Sequence, residues 1–312
     1  MCVTCGCGEG ETTIQRVGDV HSHGDGDLSA HTHADGTTHS HGHDHGGHDH
    51  GHAHPHEHPH EHPHDDDEDA QGHAHNHGHD HAHDLQVPGR SSETIALETA
   101  ILGKNQALAE RNRGWLAGRG VLALNLMSSP GAGKTTLLER SIRDLQGQVA
   151  ISVVEGDQAT THDAQRIRAT GAAAVQVNTG TGCHLEADML ARALELLQPA
   201  RGSLLVIENV GNLVCPALFD LGERARVVIF SVTEGEDKPL KYPHMFSTAD
   251  VLLLSKTDLL PHLRVDLRLM MDNALAVNPR LKIFPISAYT GAGLDAWYGW
   301  LRGELASGAA HV

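Results

Sequence analysis

The chain has 312 residues, 28 of them histidine, and a formal net charge of −17 at pH 7. The first ninety residues carry 17 acidic side chains against only Arg16 and Arg90, while the other 222 carry 23 acidic against 21 basic. The near-neutral remainder has no basic face for a phosphate backbone, and no run reaches 18 apolar residues, so neither nucleic acid nor a membrane is expected as a partner.

The N-terminus also lacks a basic start followed by an apolar stretch, which argues against export. It opens with MCVTCGCGEG. Cys2, Cys5 and Cys7 are too close together for a zinc ribbon, but three thiolates and a terminal amine could wrap one ion, nickel(II) or zinc. With Cys183 and Cys215 they make five cysteines, an odd number that argues against a disulfide scaffold and for reduced thiols in the cytoplasm. Residues 1–18 therefore form a cysteine-containing leader. Residues 19–90 are a low-complexity tract holding 23 of the histidines, between His21 and His83. With almost nothing apolar to bury, the tract cannot offset the entropy cost of folding and is expected to be disordered without ligand. Its imidazoles and interspersed carboxylates suit storage of nickel, zinc, copper or cobalt.

Residues 91–312 are long enough for one domain with its own core. SSETIALETAILGKNQALAERNRGWL reads as a helix capped by Ser91 or Ser92, with Ile95, Leu97, Ile101, Leu102 and Leu108 on a loose apolar face. Apolar, β-branched runs then recur at 121–127, 149–156, 172–178, 203–210, 225–232, 251–258 and 282–288. Helices are expected near 134–146, 160–169, 185–197, 239–248, 264–277 and 293–302. This alternation predicts an α/β fold, a mostly parallel sheet covered by helices on both faces.

After the first of these strands comes SSPGAGKTT. It matches the phosphate-binding loop of P-loop NTPases except that Ser128 replaces the first glycine. Gly131, Ala132, Gly133, Lys134, Thr135 and Thr136 would wrap the phosphates, with Lys134 on the β/γ-phosphates and the Thr135 hydroxyl on Mg²⁺. SKTD at 255–258 resembles the guanine-selecting NKxD signature: Asp258 can accept from two guanine donors, Lys256 would lie along the base, and Ser255 stands where asparagine is usual. PISAYTGAG supplies Ser287 and Ala288 where a backbone N–H would meet guanine O6, so GTP/GDP is favoured over ATP. Asp157 and Glu208, each at the end of a strand, are candidates for Mg²⁺ or for the attacking water, and the Gly211 N–H could meet the γ-phosphate.

Cys183 and His184, in NTGTGCHLEAD, stand just before a helix, where a thiol ionises more readily. Two adjacent residues do not complete a metal site. Cys215, four residues beyond Gly211, or a second copy of the pair across a twofold axis would have to add ligands; the plainer alternative is a buried thiol beside an ordinary histidine.

The MCVTCGCGEG leader, the histidine tract, SSPGAGKTT, EGDQAT, NTGTGCHLEAD, IENVGNLVCPA, SKTDLLPH and PISAYTGAG together resemble one family, the HypB nickel-incorporation GTPases of hydrogenase maturation. The resemblance implies a cytoplasmic, dimerising metallochaperone that hydrolyses GTP slowly and helps insert nickel into the large subunit of [NiFe]-hydrogenase. It implies a tight nickel site at Cys2, Cys5 and Cys7. It also implies a nickel or zinc site near the dimer interface at Cys183 and His184, with Cys215 a further ligand in some metal states. A small zinc-containing, HypA-like protein would exchange nickel with it. The expected mechanism is a switch: GTP and Mg²⁺ order the segments carrying Asp157 and Glu208 to Gly211, favour the dimer and alter the metal ligands. The rival readings are a urease-type nickel accessory GTPase, a mainly passive nickel or zinc store, and a metabolite kinase.

Overall fold

A computed structural model describes residues 12–16, 31–32, 38–39, 92–157, 162–180 and 182–309. The expectations for Cys2, Cys5, Cys7 and the metal content of the histidine tract fall outside these residues. Two compact units are distinguished. One spans 21–88, and its described part is an antiparallel pairing of β2 (His31–Thr32) with β3 (Thr38–His39). The other comprises 1–20 together with 89–312.

In the larger unit, β1 (Thr13–Arg16) and α1 (Ser92–Ala117) precede an alternating series: β4 (Leu122–Ser128), α2 (Lys134–Asp144), β5 (Ile151–Asp157), α3 (His162–Ala169), β6 (Ala173–Asn178), α4 (Ala187–Leu197) and β7 (Leu204–Glu208). There follow α5 (Cys215–Leu218), β8 (Ala225–Ser231), α6 (Lys238–Lys241), α7 (Pro243–Ser247), β9 (Val251–Ser255), α8 (Leu267–Val277), β10 (Lys282–Pro285) and α9 (Leu294–Ala309). The strands form one sheet in the order β1-β6-β5-β7-β4-β8-β9-β10. All pairings are parallel except β1 with β6, where Thr13 faces Asn178 and Arg16 faces Val175.

The seven apolar runs all become strands because alternate residues are buried on opposite faces. Leu124, Leu126, Val153 and Val206 pack beneath α2, α3 and α9. Ala123, Val154, Val177, Leu205 and Ile207 pack against α1 and α4, and Met127, Val228 and Leu252 against α7 and α8. Parallel strands place their C-terminal ends on one edge, which is where the phosphate loop, Asp157, Glu208 and the segment before α4 all emerge.

Three local features depart from expectation. β1 adds an antiparallel edge strand inside the leader, its register fixed by β6. The helix expected over 239–248 is split at Tyr242, because Pro243 cannot donate the hydrogen bond that continuation would need. On α1, Leu97 and Leu102 are exposed, and the buried stripe is Asn105, Ala109, Asn112 and Leu116. Its two asparagines bond backbone: Asn105 accepts from the Ala187 N–H (2.8 Å) and donates to the Asp220 carbonyl (2.7 Å). Asn112 donates to the carbonyls of Ala187 (2.8 Å) and Leu221 (3.1 Å). Among the described residues, no helix is long and apolar enough to cross a membrane.

Candidate functional site: a phosphate loop backed by a buried thiol–imidazole cluster

The turn between β4 and α2 is held open by Gly131 and Gly133, at φ +75° and +101°, values that side chains rarely tolerate. No side chain caps α2, so its first N–H groups remain available to an anion, as a phosphate cradle requires. Lys134 Nζ donates to the Ser128 hydroxyl (2.9 Å), which gives the residue at the irregular first position of the motif a direct task. Burial lowers the Lys134 pKa, and the negative charge of Glu208 acts against that shift. The Thr135 hydroxyl donates to Oε1 of Glu208 (2.8 Å), bringing together the two groups expected to meet Mg²⁺. Gly211 lies against the loop; a Cβ there would come within 3.3 Å of Pro130.

Glu208 has a neighbour that sequence reading passed over. Glu155 pairs with it in register across β5 and β7, and both side chains are almost wholly buried. Each keeps one carboxylate oxygen with no hydrogen-bond partner among the described residues. Burial raises both pKa values; for Glu155 the nearby Glu208 charge adds to the effect and carries it to about 8. The alternation of β5 held the signal: Glu155 shares a face with Val153, so an acid was bound to be buried there. Two adjoining carboxylates with orphaned oxygens beside a threonine hydroxyl fit a hard divalent cation such as Mg²⁺.

At the late strands, the Ser255 hydroxyl donates to the Ala132 carbonyl (2.7 Å), and Lys256, in a left-handed conformation, reaches the Gly131 carbonyl (2.7 Å). Ser255 thus retains a tie to the phosphate loop despite lacking an amide. Asp258 accepts from the Ser287 hydroxyl (2.5 Å). The Ser287 N–H is already donated to the Ala292 carbonyl (2.9 Å).

The other cluster comprises Cys183, His184 and Cys215, all buried, with one donor atom from each lying within 4.8 Å of the others. His184 Nδ1 is 3.7 Å from Cys183 Sγ, and its ring stacks on Phe219 with centroids 4.0 Å apart. Its buried Nε2 lies 3.7 Å from Glu186 Oε1, too far for a hydrogen bond. The imidazole nevertheless holds the Glu186 carboxyl below its usual range. Two thiols and an imidazole fit nickel or zinc, and the Glu186 carboxylate, 3.7 Å from the other ring nitrogen, needs only a small shift to accept the bond that orients a ligating histidine. Within the single chain, α5 brings Cys215 to the pair.

The uncapped glycine turn, the buried strand-end acids and the SKTD and SA elements converging on one sheet edge define a P-loop GTPase. Residues 122–285 match the family described as CobW/HypB/UreG, nucleotide-binding domain. The hydrogenase maturation factor HypB of Rhizobium leguminosarum bv. viciae is 58% identical over 219 residues, spanning 70% of this chain and 73% of that one. A crystal structure of HypB from Archaeoglobus fulgidus aligns with a TM-score of 0.62 at 41% identity, covering 65% of this chain and 99% of the other. A HypB structure from Helicobacter pylori in complex with nickel aligns with the same TM-score at 38% identity, over 65% and 96% of the two chains. The chain belongs to the HypB family of hydrogenase maturation factors, GTP-dependent nickel metallochaperones.

Proposed function

We propose that this chain uses its nucleotide state to control how tightly the Cys183–His184–Cys215 cluster holds nickel destined for [NiFe]-hydrogenase. The observation that carries this reading is the placement of a soft metal cluster and a phosphate loop on one sheet edge, joined by the segment from Glu208 to Cys215. Lys134 and the α2 N-terminus hold the phosphates, and Gly211 presents its N–H to the γ-phosphate. Thr135, Glu208 and the β5 acids Glu155 and Asp157 would hold Mg²⁺, which supplies charge neutralisation at the transferring phosphoryl group. Asp258 and Lys256 select guanine, and Ala288 takes the O6 contact because the Ser287 N–H is committed to Ala292.

Nickel is the cargo, and zinc is the competing ion for the same donors. The functional divisions are the leader at 1–18, a histidine-rich store at 19–90 and the GTPase domain at 91–312. GTP favours a homodimer, and nickel passes between this chain, a HypA-like zinc protein and the hydrogenase large subunit. Metal-titrated native mass spectrometry with GDP or a GTP analogue, on the full chain and on Cys183→Ala, tests the assignment. The variant should lose one ion per chain and keep its nucleotide. Unchanged ion counts would remove the cluster from the metal pathway.

A further inference from the structure

Consecutive residues at the end of β7 serve opposite faces of the sheet. Glu208 continues the series of Leu204 and Val206, toward α2 and the phosphate loop. Asn209 turns the other way. Its peptide N–H still bonds the Leu126 carbonyl (3.0 Å), which keeps it rigidly attached to the strand, and it is 1% exposed. Its side-chain oxygen accepts from two backbone N–H groups, those of Val210 (2.9 Å) and Leu185 (3.1 Å). Leu185 immediately follows Cys183 and His184. One amide thus joins the first residue beyond Glu208 to the loop carrying the thiol–imidazole pair.

The contact continues in the other direction. Asn209 Nδ2 donates to Oδ1 of buried Asn125 (3.2 Å), and Asn125 donates to Glu223 Oε1 (3.3 Å). Arg226 bonds the same Glu223 oxygen (2.7 Å) and also donates to the Ala217 carbonyl (3.2 Å) within α5, the helix that begins at Cys215. Both metal-bearing segments are therefore anchored to one buried polar chain. Leu185 is braced from β5 as well: a Cβ on Gly156, between Glu155 and Asp157, would come within 2.7 Å of its side chain. Leu185 has no room to absorb a shift of either strand end, because it is fully buried in a packed core.

We propose that Asn209 is the positioning residue that transmits the state of the Glu208 strand end to the Cys183–His184–Cys215 cluster. This rests on the reading that nucleotide and nickel are coupled in this chain. A ligand that moves Glu208 carries Asn209 with it. Asn209 then either drags the Leu185 peptide or releases it, and the donors are re-spaced. The residue touches neither nucleotide nor metal. A purely structural asparagine would change stability alone, whereas a relay changes the difference between two nucleotide states.

The test uses the full chain with Cys2, Cys5 and Cys7 replaced by serine, so that thiolate-to-nickel(II) charge-transfer absorbance reports this cluster and not the leader. Nickel(II) is titrated with GDP·Mg²⁺ and with a non-hydrolysable GTP analogue, and the ratio of the two affinities is the readout. With Asn209 present the ratio should lie on the order of 5 to 150 in one direction. Asn209→Ala should keep nucleotide binding and the absorbance band while the ratio falls to about 1, no coupling. A folded Asn209→Ala chain that retains the ratio overturns the relay alone. A ratio near 1 with Asn209 intact would end the coupling reading, and the relay with it. If Asn209→Ala fails to fold by circular dichroism, Arg226→Lys decides. It keeps the charge but replaces the planar fork that reaches Glu223 and Ala217 from two nitrogens with a single ammonium on a flexible stem, so the ratio should fall, and an unchanged ratio would overturn the proposal.

Discussion

On the α2 side of the sheet edge, partly buried Lys134 and buried Glu155 and Glu208 are ionisable groups with displaced pKa values and, on the two acids, orphaned oxygens. On the α4 side, Cys183, His184 and Cys215 are buried donors, steadied by a stacked ring and by asparagine oxygens that accept from the Leu185 and Ala187 N–H groups. Burial favours the neutral form of the two acids, and a phosphate and a hard cation would supply the partners that their ionised forms need. The α4 side is already well packed, and its ligand set differs in chemistry, so the two regions do not compete for the same ion. In the proposed reading, this division lets nucleotide binding reorganise one side while the cargo stays on the other until the strand ends move.

The contrast can be broken one side at a time. Lys134→Ala should have the largest effect, lowering GTP turnover by roughly 100- to 1,000-fold, as expected for loss of one preorganised charge at the transferring group. Phosphate release measures it, and the nickel charge-transfer band should persist in the GDP state. Loss of nickel binding in parallel would mean that the two regions are not separately built.

Glu155→Gln addresses the buried acid in nucleotide- and metal-free protein. The folded-state pKa near 8 lies above the ordinary value of 4.5, so the native chain binds the extra proton across that window. Its contribution to stability is fully present below pH 4.5 and is lost as pH rises through 8. Denaturant titrations should therefore show the variant gaining on the parent from pH 5 to 8, by at most about 1.4 kcal/mol per pH unit. Parallel stability profiles would remove the buried-acid account.

Glu186→Gln sharpens the metal side. Removing the carboxylate behind His184 should weaken nickel binding by roughly 10- to 100-fold, leaving GTP hydrolysis by the metal-free chain unchanged. Phe219→Leu should have the smallest effect, costing about 0.5–1.5 kcal/mol of folding stability through loss of the ring stack. Chelator competition and thermal melting measure these two.

The frame of this molecule was legible in its sequence because it depends on local regularities. Seven apolar runs, glycines at the phosphate turn and the SKTD and ISA endings each announce themselves within a few residues. What stayed hidden depends on partners far apart in the chain. Asn105 and Asn112 resemble ordinary polar helix positions until Ala187, Asp220 and Leu221 are brought to them. Asn209 reads as a loop residue, and nothing near it in sequence points to Leu185 or Asn125. β1 is four residues held by distant partners: the β6 edge, the core on which Ile14 packs, and the Leu196 carbonyl that Arg16 reaches. Cys215 is the intermediate case: its spacing from Gly211 marked it as a candidate, and the short α5 brought it to the pair.

In the proposed reading, one chain couples guanine nucleotide to nickel through this sheet edge. The most direct measurement is the nickel(II) affinity of the Cys183–His184–Cys215 cluster with GDP·Mg²⁺ and with a non-hydrolysable GTP analogue. Affinities that differ by at least about fivefold, with equal ion counts or one ion displaced, are the predicted result. Equal affinities and equal ion counts in the two nucleotide states would contradict it.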